Sequence, residues 1–81
     1  MKSMKEKDKL RLRKIAANLT KIRESKGLSI RQLATRCDVD HGKISKIEGN
    51  KVNLMVTTLM ELAEGLGVHP KKLLDFEIDE Q

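Results

Sequence analysis

At 81 residues the chain can form one small core, because a domain of this size buries only roughly 60–70% of its unfolded surface. That leaves little room for an enzyme's substrate pocket. With one Phe, no Trp or Tyr, and 38% hydrophobic residues, the core must come from Leu, Ile, Val, Ala and Met, a composition that favours helices. The net charge of +5 is uneven: residues 1–53 carry 15 Lys/Arg against 6 Asp/Glu, whereas residues 54–81 carry 2 against 6. A basic half beside an acidic half suits a polyanionic partner on one side.

Several classes are excluded at once. No apolar run approaches the ~20 residues that cross a bilayer, and the Lys-rich start lacks the apolar stretch of a signal peptide. Cys37 stands alone and the two histidines lie far apart, so neither a disulfide framework nor a zinc site is expected. The expectation is a cytoplasmic protein with no cofactor, no metal, no membrane partner and no small-molecule substrate. Three regions are expected: a basic tail over residues 1–9, a folded domain over 10–76 and an acidic tail over 77–81.

The first helix is predicted over residues 8–26, where Leu12, Ile15, Ala16, Leu19 and Ile22 form an apolar stripe. Gly27 ends it. Ser29 and Gln32 have capping-box spacing, and Leu28 before the cap pairs with Leu33 as a staple, so a second helix is expected over 30–37. Asp38 is expected to take a tight left-handed turn. Asp40 caps a third helix over 41–48, which stops at Gly49-Asn50. A fourth helix over 55–66 presents Val56, Leu59, Leu62, Ala63 and Leu66 on one face, and Gly67 ends it. Pro70 opens a brief fifth helix to about residue 76, Pro being tolerated at the first helical position.

Two short helices joined by Asp38-Val39-Asp40 are the informative feature. Leu33, Val39, Ile44 and Ile47 would fill the space between them, with Ala34 at the crossing. The second helix would then expose His41, Gly42, Lys43, Ser45 and Lys46, a surface of donors and small groups. A helix so placed can enter the major groove of DNA, about 12 Å wide.

These residues resemble the helix-turn-helix domains of the Cro and phage-repressor type. The likeness runs over residues 12–76 and rests on Ile22-Arg23-Glu24, Gly27-Leu28-Ser29, Leu33-Ala34, Val39, Ile44 to Asn50, and Leu59, Leu62-Ala63 and Leu66-Gly67-Val68. Within that family, the small controller proteins of restriction–modification systems are similar in size, ending and the Asn53-Leu54 loop. The resemblance implies an all-α, five-helix, lambda-repressor-like fold and a transcriptional regulator of double-stranded DNA, acting as a homodimer. It also implies base contacts from Asp40, His41, Gly42 and Lys46, and phosphate contacts from Ser29, Arg31, Lys43, Ser45, Asn50 and Lys51. Glu48 matches a structural acid. Three positions depart from the family pattern: Ile30 stands where a Gln is common, Gly42 where a side chain is common, and Met55 where a Ser or Thr cap is common.

Self-association is expected through the acidic half. Met55 and Met60 lie off the apolar stripe of the fourth helix, and with Phe76 and Ile78 they suggest an adaptable patch. Two other readings stay open. The same fold could serve as a protein-binding adaptor or antitoxin-type module, and an RNA-binding module is disfavoured by the lack of stacking aromatics. An enzyme fits least, since no nucleophile stands beside a base.

Overall fold

The computed structural model describes residues 5–77; Ile78, expected at the dimer patch, lies outside them. Among the described residues there is no strand. The elements are α1 (Glu6–Ser25), α2 (Ile30–Ala34), α3 (His41–Glu48) and α4 (Val56–Leu66), followed by a 3-10 helix (Pro70–Leu74). Four α-helices and one short 3-10 helix therefore replace the five helices expected. The last segment is a single tight turn opened by Pro70, with an i→i+3 bond, Lys72 N–H to His69 O at 2.9 Å. His69 caps it, its Nδ1 accepting from Lys71 N–H at 3.0 Å.

Each element contributes one large, fully buried side chain to a common centre: Leu19, Leu33, Ile44, Leu62 and Leu73. Leu28, Val39, Ile47, Leu59, Ala63 and Leu66 extend this core, with Ala34 and Cys37 packed on its edge. The stripe of α1 and Leu59, Leu62, Ala63 and Leu66 of α4 thus face inward as helical spacing requires, whereas Val56, expected on the same face, opens the first turn of α4 and is exposed.

Helix ends explain most differences from expectation. α1 begins at Glu6, two residues early, with Glu6 and Asp8 in its first turn where the helix dipole favours acids. α2 ends at Ala34, three residues before Cys37. The Thr35 hydroxyl takes the Gln32 carbonyl at 2.6 Å and the Cys37 thiol reaches the Leu33 carbonyl at 3.5 Å, so side chains satisfy carbonyls that a continuing helix would use. Asp38 is not left-handed; Asn50 is (φ 61°), the only non-Gly residue with positive φ among the described residues. There the Lys51 N–H reaches back to Lys46 O at 2.9 Å and the Asn50 N–H to Ile47 O at 3.1 Å. This bond pair closes the last turn of α3 and sends the chain sharply away from it.

The 3-10 helix is tied back to α1. The Asn18 amide donates to the carbonyls of Leu73 at 3.3 Å and Asp75 at 3.2 Å. Lys14 donates to Glu77 O at 2.9 Å while its ammonium lies 5.7 Å from the Phe76 ring centroid.

Gly65 is the point of closest approach between α4 and the end of α2. A Cβ there would lie 3.0 Å from Cys37 Cβ and 3.0 Å from Leu33 Cδ1, and neither atom is the free end of a long side chain. Gly65→Ala should therefore lose about 1 kcal/mol net, the overpacking cost exceeding the gain in helix propensity. Urea unfolding measures it; an unchanged or raised midpoint would contradict this close approach.

Candidate nucleic-acid interface

The α2–α3 pair is assembled by its caps. Ser29 Oγ accepts from Gln32 N–H at 3.0 Å and Gln32 Oε1 accepts from Ser29 N–H at 2.8 Å, the reciprocal box expected from the spacing. Asp40 Oδ1 accepts from Lys43 N–H at 2.8 Å and starts α3. One Asp40 oxygen is thus committed to its own helix, and the Ser29 hydroxyl keeps its proton to donate outward.

On α3, Ile44 and Ile47 point into the core and are buried. Residues three and four apart share a helix face, so Gly42, Ser45 and Lys46 form the opposite, outward face, with His41 beside Ser45. His41, Lys43, Ser45 and Lys46 are exposed and Gly42 is half-buried. Lys43 lies toward α4, where it lines a cleft with Asp38, Asp40, Thr57 and Glu61. Arg31 is exposed on α2, and Asn50 and Lys51 are exposed just after α3. The structure brings the outward residues of α3 onto one surface. Met55, the N-cap residue of α4, and Met60 on the helix are exposed, whereas Phe76 is half-buried over α1.

What holds α3 against the body is a fork of hydrogen bonds that sequence reasoning noted only in part. Arg23 is 8% exposed. Its Nε donates to Glu48 Oε2 at 2.8 Å, its Nη2 to Glu48 Oε1 at 3.0 Å and its Nη1 to the Leu28 carbonyl at 2.7 Å. The bidentate bond to Glu48 holds the guanidinium pKa above its ordinary value, against the opposing effect of burial. One side chain therefore joins α1, the α1–α2 connection and the last turn of α3. The signal was present in the sequence: Arg23 and Glu48 each sit four residues after a core residue, Leu19 and Ile44, where an unpaired charge would be costly.

Among the described residues no group of His, Cys, Asp and Glu could hold a metal ion, and no helix is long and apolar enough to cross a membrane. Burial pushes the Cys37 thiol pKa up, which disfavours the reactive thiolate. Three residues escaped the sequence reading. Arg36 is an exposed cation in the α2–α3 connection, Gly65 sets the packing of α4, and Glu61 accepts from Asp38 N–H at 2.9 Å.

Removing either member of a buried, hydrogen-bonded ion pair leaves the other unpaired, at a cost of about 3–5 kcal/mol. Arg23→Ala and Glu48→Ala should each destabilise by that order. The double variant should cost markedly less than the two single losses added together. Urea unfolding of the four proteins provides the cycle, and simple additivity would contradict the coupling drawn from the geometry.

The family comparison agrees with this architecture. A helix-turn-helix family model matches residues 19–73. The chain is 41% identical over 56 residues to the control protein C.BamHI of Bacillus amyloliquefaciens, covering 68% of this chain and 69% of that one. It is similar in structure to the restriction-modification controller protein C.AhdI of Aeromonas hydrophila, with a TM-score of 0.73 at 29% identity over 76% of this chain and 94% of the other. The wild-type restriction-modification controller protein C.Esp1396I gives a TM-score of 0.74 at 33% identity, over 79% and 83% of the two chains. The chain belongs to the helix-turn-helix family of DNA-binding transcriptional regulators.

Proposed function

We propose that the protein is a homodimeric controller of transcription, of the kind that its restriction–modification relatives are named for, and that it reads duplex DNA with α3. The observation that carries this reading is the outward face of α3: His41, Gly42, Ser45 and Lys46 leave the protein with donors and no apolar side chain, while Ile44 and Ile47 anchor the helix from behind. His41 and Lys46 are assigned to base edges, with Lys46 donating to guanine acceptors. Gly42 lets the backbone approach the groove closely, and the free oxygen of Asp40 can accept from an exocyclic amine. Ser45 shares the face of Gly42, so its hydroxyl is within reach of bases as well as phosphate. Ser29, Arg31, Lys43, Asn50 and Lys51 surround this face and are assigned to phosphates, which position the protein without reading sequence. A DNA partner calls for a cytoplasmic location.

Dimerisation is assigned to α4. Met55, Val56 and Met60 are 63%, 73% and 53% exposed on a helix whose other face is core, and clustered exposed apolar residues mark association surfaces. A two-fold dimer would place two α3 helices about one DNA turn, ~34 Å, apart.

Selection from random duplex DNA should recover a two-fold motif. Lys46→Ala should cost about 1–3 kcal/mol on that motif and relax preference at one or two positions. Lys51→Ala should weaken all duplexes alike and reduce the slope of log affinity against log salt by about one unit. Competition assays on single-base variants separate the two; an identical uniform loss would mean that α3 is wrongly oriented.

Met60→Glu should leave the monomer folded but shift sedimentation from dimer to monomer, and should weaken DNA binding through lost avidity. A wild-type protein that stays monomeric at high micromolar concentration, both alone and on DNA, would remove the dimer.

A further inference from the structure

We propose that Glu61 of α4 is a positioning residue for DNA reading: its carboxylate fixes the turn from which the recognition helix starts. This rests on the reading of α3 as the DNA-facing helix and adds a determinant of its specificity.

The turn begins where α2 stops. Because that helix ends at Ala34, the Asp38 N–H has no carbonyl of its own helix to bond. Glu61 Oε1 accepts from it at 2.9 Å across the cleft between the turn and α4. Only two residues separate Asp38 from the first residue of α3, and each is held by a different force. Val39 is buried in the core, and Asp40 is committed to the Lys43 N–H. Val39 fixes depth and Asp40 fixes the helix start. Val39 N–H also bonds the Cys37 thiol, but neither Val39 nor Asp40 ties the turn to α4.

The Glu61 bond supplies that restraint from outside the motif. An ionised acceptor makes a shorter and stronger bond to a backbone N–H than a neutral one does. The cleft behind it is a space of about 290 Å³ lined by Asp38, Val39, Asp40, Lys43, Thr57, Thr58 and Glu61, so the turn has room to shift if the bond is lost. A small rotation there is carried directly to His41 and Gly42, the first residues of the reading face. Gly65 packs against Cys37 and Leu33 one turn further along α4, so the helix body keeps its place whatever residue 61 is. The acid therefore adjusts aim rather than holding the fold together.

Glu61→Ala and Glu61→Gln separate this role from a general one, since Gln keeps an acceptor without the charge. The readouts are thermal unfolding and relative affinity for the selected duplex against single-base variants and random duplex. Glu61→Ala should lower discrimination about three- to tenfold, as expected for one lost hydrogen bond, at base positions met by His41 and Gly42. Its affinity for random duplex should match that of Glu61→Gln, and Glu61→Gln should keep discrimination within about twofold of wild type. Unchanged discrimination in Glu61→Ala, equal losses in both variants, or a uniform loss on every duplex with a lowered unfolding midpoint would each overturn the proposal. Amide exchange at Asp38 in the DNA-free protein tests the bond independently. It should be fast in Ala and slow in the other two. Wild-type protein with slow exchange at Asp38 but no preference among duplexes would overturn the DNA reading on which the role depends.

Discussion

The Arg23 fork is the constraint on which the geometry of the motif depends. A helix of eight residues, such as α3, is marginal in isolation, and two buried isoleucines alone would let it roll against its neighbours. A planar guanidinium bonded to both oxygens of Glu48, and also to the Leu28 carbonyl, restricts distance and rotation together. It does so at the end of α3 where the chain must turn away through left-handed Asn50. Buried ion pairs contribute little net stability compared with apolar packing. The contribution here is to define one orientation of the reading helix among several that hydrophobic contacts would tolerate.

The two ends of α3 are therefore held by different chemistry. The C-terminal end is held by Arg23 from α1. The N-terminal end is held by the Asp40 cap, the Val39 anchor and the bond from Glu61. Between them, the outward surface has no structural duty, which frees His41, Ser45 and Lys46 for a partner. Charge follows the same division. At the N-terminal end the acid Glu61 shares a cleft with the Lys43 cation, and at the C-terminal end Glu48 is matched by Arg23.

Much of this was legible in the sequence because local rules carry it. The box of Ser29 and Gln32, the Asp40 cap, the stop at Gly49-Asn50 and the inward stripes depend on residues a few positions apart. Expectation failed in two ways, through local side-chain competition at the end of α2 and through partners distant in sequence. α2 was expected to continue to Cys37 because the apolar spacing continues, yet Thr35 and Cys37 take its carbonyls. Asp38 suits a left-handed turn by type, but its amide meets Glu61, 23 residues away. Gly65 reads as an ordinary helical glycine until Cys37 and Leu33 are placed against it. Arg23 and Glu48 were visible as family positions, and Glu48 as a structural acid, but nothing local named one as the partner of the other. Of the candidate interface, the exposed residues of α3 follow from helical periodicity. Their separation into base and phosphate contacts depends on how the helix meets DNA.

The most direct measurement is a backbone-amide NMR titration of the protein with a duplex carrying its selected motif. Recognition through a fixed α3 predicts the largest perturbations at His41, Gly42, Ser45 and Lys46, with Ser29 and Asn50 next, while the amides of the core residues Leu19 and Leu62 stay in place. Perturbations centred on the outward face of α4, with α3 unmoved, would contradict it.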